Sequence, residues 1–514
     1  MKTNKYILFA LVALAFASCV KDESTDATIP ISEIVIDESS LEKVYNIPKN
    51  DTLVIEPIVT QTDETQPLSY AWELNQEIIS REKVFQYEGT KYGTFDGRLI
   101  VSNADGKAFF TFTLNVNSPY EYGITILSKD TEGRTHIAFM QEPMEEGDKK
   151  EFYDENCIEK NNPERVIASN PADIIQTTGL LLLACQGKEG DKNDPPTIYF
   201  LNEKTFVVED YVKSEDCIPT KLLTPPGNYS GVSYPVLSKD GKMYSLPTST
   251  AILQPHHKLT STYSPQLGFA VGTSTDFEII VWDTEEKGPA LIYNGYGPFY
   301  YGENYLLVRD SLTKDAYFTK NFKKEVCTIV PIHKTTEDLS KSRREFIVIS
   351  KANNGMINKA VLANFFWKDM DGTGRNYEVL DNGGFSAITN TPGYREITAN
   401  TPCIANSTYQ TLWFASGNTI KVWNYASTEK DYYINTKSKT LPTKIGSSKA
   451  KITSFDISED HSKTYVAFYE PDQEGMNGSV WVFNTDTGEV LEQYNNVCYE
   501  PVKMFYKKKA DKRR

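Results

Sequence analysis

Ile452-Thr-Ser-Phe-Asp-Ile-Ser-Glu-Asp-His-Ser-Lys-Thr-Tyr-Val-Ala-Phe468, followed by Val480-Trp-Val-Phe-Asn-Thr-Asp-Thr-Gly-Glu-Val-Leu491, carries the pattern that decides the fold. Each part is a short apolar or aromatic run, a polar turn, and a second short run. The same outline recurs at Ile198–Val208, Ile279–Ile292 and Ile420–Tyr425, and more weakly from Lys242, Asp315 and Ala360. Ser238-Lys-Asp-Gly-Lys-Met-Tyr244 is a shorter copy of the turn. Seven such units between residues 157 and 506 average roughly 50 residues each, which suits a β-propeller of four-stranded blades. Solenoid repeats would show a stricter and shorter period. We therefore expect seven blades, although six and eight also fit the spacing. Trp282-Asp283 resembles the WD signature once, without its Gly-His partner, so the propeller is a divergent one.

Composition agrees with an all-β chain. Of 514 residues, aromatics make up 12%, and Tyr, Thr, Gly and Asn outweigh long Ala/Leu/Glu/Lys stretches. Asp and Glu number 69 against 54 Lys and Arg, a net charge of -15. That balance excludes a nucleic-acid partner, whose phosphates call for a basic surface. Seven cysteines are too few for a disulfide scaffold.

Upstream of the repeats, residues 31–144 read as short strands divided by polar turns, with alternating apolar positions. Tyr70-x-Trp72 and Ile124-Thr-Ile-Leu-Ser-Lys-Asp130-Thr-Glu-Gly133 resemble a PKD-like, immunoglobulin-type β-sandwich. In that resemblance Trp72 belongs to the core and Asp130-x-x-Gly133 closes a late hairpin. The charged segment 145–156 is the expected linker to a propeller over 157–506.

The first residues set the compartment. Lys2 and Lys5 precede an apolar run from Tyr6 to Phe16, too short to span a bilayer of ~30 Å. Phe16-Ala-Ser-Cys19 resembles a bacterial lipobox, which implies a signal peptide over 1–18 and lipid on Cys19. Lys21-Asp22-Glu23, within a polar tether over 19–30, resembles the surface export signal of Bacteroidota lipoproteins. The tail 507–514 carries six bases and one acid, and is expected to be an unstructured basic segment.

Candidate chemistry is thin. The five histidines (136, 256, 257, 333 and 461) form no spaced ligand set, and no nucleophile elbow or phosphate loop occurs. Asp369-Met-Asp371-Gly-Thr-Gly starts like a calcium loop, but Leu380 stands where the bidentate Glu belongs, so a turn between strands is expected instead. The stretch from Tyr293 to Tyr305 is dense in rings and glycine. Its Tyr296, Phe299, Tyr300, Tyr301 and Tyr305 are candidates for stacking on a ligand or partner. Six cysteines remain besides Cys19; their pairing is open, and Cys185, ending an apolar strand, reads as a buried thiol. Asp51-Thr-Leu and Asp310-Ser-Leu match a short Bacteroidota O-glycosylation pattern.

Taken together, the chain resembles the PKD-like family lipoproteins of Bacteroidota. The resemblance implies a surface lipoprotein held at the outer membrane by its lipid alone, without catalysis, cofactor or metal. It also implies partners: SusC/SusD-like transporter proteins, other surface lipoproteins, and an oligopeptide or glycan ligand. The rival expectation is a propeller hydrolase or lyase acting on extracellular polysaccharide or peptide, which convergent acids and a His or Tyr at the propeller axis would favour.

Overall fold

The structure is a computed structural model. It describes residues 31–508 other than 142–152, 178, 225–232, 248–251, 257–258, 260, 273–276, 286, 295–304, 308–325, 336–342, 352–357, 371–373, 380–396 and 426–442. The chain divides into two compact units, Met1–Ser118 and Pro119–Arg514.

The first unit is built on a five-stranded sheet in the order Val44–Pro48, Lys107–Asn117, Gly93–Ser102, Ser69–Leu74, Glu77–Ser80. Two further strand pairs accompany it, Ile34–Ile36 with Val59–Gln61 and Thr52–Ile55 with Phe85–Glu88. Alternation along Lys107–Asn117 turns Phe110, Phe112, Leu114 and Val116 inward, as a half-buried strand demands. Trp72 sits fully buried in this core, stacked on Phe85 at 4.9 Å, and its indole Nε1 donates to the Glu82 carbonyl at 3.0 Å. A buried indole with its N–H satisfied is the core role expected of it.

The second unit is a β-propeller. Among the described residues its strands form seven antiparallel meanders of four. Their innermost strands are Pro171–Gln176, Pro219–Leu222, Tyr263–Gly272, Val326–His333, Cys403–Asn406, Lys451–Ile457 and Glu500–Lys507, here numbered as the inner strands of blades one to seven. Each inner strand touches the next, and the seventh touches the first, so the ring is closed. Between blades four and five the contact extends to parallel pairing of Ile332 with Ala405 and His333 with Asn406.

Blade seven is composite. Its inner strand comes from the end of the chain and pairs antiparallel with Gly123–Lys129, Ile124 opposite Tyr506 and Ile126 opposite Met504. Thr135–Met140 and the short Tyr153–Asp154 complete the sheet. This corrects three expectations. The strands at 123–140 belong to the propeller rather than to a sandwich ending at 144. Tyr153–Asp154 is an edge strand, followed by a single-turn helix at Cys157–Asn161, so that part of the expected linker is folded. Lys507 ends a strand with 1% exposure, so the basic tail does not begin there. The Asp130–Gly133 turn does close a hairpin, with Gly133 N donating to Asp130 O at 3.0 Å, but within blade seven.

Burial explains why the blades read as continuous apolar runs. Leu180–Cys185 faces two neighbours: Leu182 and Ala184 pack with Val236 and Tyr244 of blade two, while Leu181 and Leu183 pack with Ile137 and Phe139 of blade seven. A strand covered on both faces has no polar side to alternate with. Cys157, Cys185, Cys217, Cys403 and Cys498 form no disulfide; Cys185 is buried, and burial pushes its thiol up to about 12.

Candidate functional site

The inner strands surround an axial cavity of about 800 Å³. Neighbouring inner strands are largely unladdered to one another, so side chains clip them together. Asp173 of blade one accepts from Leu222 N of blade two at 2.7 Å, from Lys503 Nζ of blade seven at 2.5 Å and from Ile174 N at 2.9 Å. Ser454 of blade six accepts from Met504 N at 3.1 Å, and Asp456 accepts from Tyr506 N at 2.5 Å. Gln176 seals the seam between first and last inner strands, accepting from Lys508 N at 2.9 Å and donating to Lys508 O at 2.8 Å.

These clips place charge at the hub. Lys221, Lys503 and Lys508 line the cavity together with Asp173, Asp456, Glu459, His333 and His461. Burial raises the Asp456 carboxyl to about 6, against the pull of its backbone hydrogen bonds and of Lys503 and Lys508. Burial lowers His333 to about 4, helped by the charges of His461 and Lys508. Burial and nearby Lys503 also lower Lys221, while Asp173 opposes the change. All three side chains keep partial exposure to the cavity, so water there weakens each effect. His461 is held at φ 61° in the turn after the blade-six inner strand and is bonded to Thr408 Oγ1 at 2.7 Å. Gly241 takes a similar φ of 81° in the related Ser238–Gly241 turn, so His461 occupies a backbone position that favours glycine. Phe269, Phe455 and Phe505 supply apolar wall.

Cys19, Lys21, Asp22 and Glu23 fall outside the described residues, as do Tyr296, Phe299, Tyr300 and Tyr301. Tyr305 begins the outermost strand of blade three, opposite Asn294, so its backbone is at the rim of the sheet and not at the hub. Asp369 stands opposite Arg375 in the two outer strands of blade four, and the residues between these strands, Asp371 among them, lie outside the described residues. Among the described residues no group of His, Cys, Asp or Glu is placed to hold a metal. His136 belongs to blade seven, its ring 4.4 Å from Tyr499 and its Nε2 3.3 Å from Asp130. The charged hub residues Asp173, Lys221, Asp456 and Lys503 went unnoticed in sequence, yet share a signal: each is a charge interrupting the innermost strand of a blade.

No described protein family and no curated protein matches the chain. Among solved structures, a quinonprotein alcohol dehydrogenase-like protein from Bacteroides thetaiotaomicron aligns over 93% of this chain and 99% of its own, at 13% identity and a TM-score of 0.40. The dihydro-heme d1 dehydrogenase NirN, in complex with DHE, aligns over 76% of each chain at 9% identity and a TM-score of 0.35. Likenesses of that depth assign no chemistry, and the propeller rests on this chain's own strand order.

Proposed function

We propose that the protein is a lipid-anchored outer-membrane lipoprotein, exposed at the cell surface, that serves as a non-catalytic accessory subunit of a SusC/SusD-like uptake complex. In this reading Cys19 carries the lipid, the first unit is a PKD-like, immunoglobulin-type spacer, and the propeller takes hold of an oligopeptide or glycan. The axial cavity carries the binding part of the reading: its size is that of a small-ligand pocket, with apolar wall and a few fixed charges. The lipobox-like Phe16-Ala-Ser-Cys19 supports the anchor, and the buried Trp72 supports the spacer.

The test is affinity purification from native outer membranes with identification of partners. A SusC/SusD-like pair should come down with the protein, and Cys19→Ala should release it from the membrane fraction. Recovery without such a pair defeats the uptake reading; membrane retention of Cys19→Ala defeats the anchor.

A second reading, the hydrolase or lyase, draws on one observation: Asp456 and His333 line the same cavity. Turnover of polysaccharide or peptide by the purified protein, abolished in Asp456→Asn, would establish it over the non-catalytic role.

A further inference from the structure

Lys221 is the least satisfied charge at the hub. Among the described residues no hydrogen bond or ion pair reaches its ammonium, although the side chain lines the cavity. Asp173, the carboxylate within its electrostatic reach, is already engaged by Lys503 Nζ, Leu222 N and Ile174 N. Lys503 itself repels Lys221. An ammonium drawn partly out of water without a full partner costs free energy. Such a group gains most from a ligand that brings the missing acceptor with it.

We infer that the axial cavity is a carboxylate-binding site, in which the Lys221 ammonium receives the acid group of a small ligand whose apolar body lies against Phe269, Phe455 and Phe505. The inference rests on the reading of the propeller as a ligand-binding module and specifies its ligand. A single negative charge fits better than two. The hub's Lys221, Lys503 and Lys508 are faced by Asp173, Asp456 and Glu459, so a dianionic phosphate would meet more repulsion than one open ammonium offsets. The wall chemistry points the same way. Phenyl rings accept an apolar side chain or the flat face of a sugar. Two sources share this chemistry, an oligopeptide with its terminal carboxylate and a sugar acid.

Calorimetric titration of the full chain separates them. The probes are N-acetylphenylalanine against its amide, and glucuronate against glucose. At least one acid should bind about tenfold or more tightly than its neutral counterpart, as expected of a charge-assisted contact out of bulk water. Which acid does so names the source. Lys221→Met should erase that preference and Lys221→Arg should keep most of it, with circular dichroism confirming the fold of both. Equal binding of acid and neutral probe, binding of neither, or an undiminished preference in Lys221→Met overturns the site. The acid-to-neutral ratio is read on the unaltered chain, so it decides the matter even where a variant misfolds. Co-purification of the transporter pair does not depend on this titration, so failure of the site is distinct from failure of the uptake reading.

Discussion

Asp456 and His333 pull stability in opposite directions over the same range of pH. The folded Asp456 carboxyl, raised from 3.8 to about 6, holds its proton more tightly than the unfolded chain does, so its stabilising contribution is complete at low pH and is lost as pH rises from about 4 to 6. The folded His333 ring, lowered from 6.5 to about 4, resists the proton that the unfolded chain accepts, so its contribution grows over nearly the same span. The two largely cancel. Asp456→Asn keeps an acceptor for Tyr506 N and removes one of them. Relative to the parent, that variant should gain stability as pH rises from 4 to 6, by up to about 3 kcal/mol before cavity water reduces it. Urea midpoints at pH 4, 5 and 6 measure the difference, and a gap that does not change with pH contradicts the assignment. Neither residue stood out in sequence. Asp456 sits in the quoted Ile452–Phe468 run, where one acid between apolar neighbours reads as a solvated edge, and only the ring of inner strands shows that it faces an enclosed axis.

At the scale of elements, pairing distance along the chain separates what was legible from what was not. Strand, turn and strand are local, so the blades around Ile198, Ile279, Ile420 and Val480 could be read directly. The partner of Gly123–Lys129 lies at the other end of the chain, and no local pattern announces it. Its burial offers a clue in hindsight: Gly123–Ser128 and Thr135–Met140 are buried throughout, unlike the alternating Lys107–Asn117 of the first unit. Of the aromatic candidates, only Tyr305 lies among the described residues. Ring density marks surface suited to contact, but Tyr305 itself leads into an outermost strand. The revised boundary makes a prediction. A chain beginning at residue 119 should unfold in one cooperative thermal transition, whereas one beginning at 145 lacks two strands of blade seven and should not. Equal cooperativity in both would return 123–140 to the first unit.

At the scale of the whole molecule, closure of the propeller and formation of the cavity are one event. The last strand carries Lys503, Lys508 and the backbone donors that engage Asp173, Gln176, Ser454 and Asp456. Until it docks, blade one has no neighbour on one side and the hub has no closed wall. Joining both ends of the propeller unit in one sheet also constrains every blade between them. The most direct measurement therefore addresses that sheet. Lys129 and Glu500 are paired across it and half-buried at one end of the ladder, with Nζ 3.3 Å from Oε1. Antiparallel partners lie at about 4.5–5.5 Å between Cα atoms, within the range a disulfide spans. Lys129→Cys with Glu500→Cys should form an intramolecular disulfide under mild oxidation, identified by peptide mass spectrometry, and should raise the melting temperature of the propeller. Absence of that cross-link in folded protein would contradict the closure and the cavity built on it.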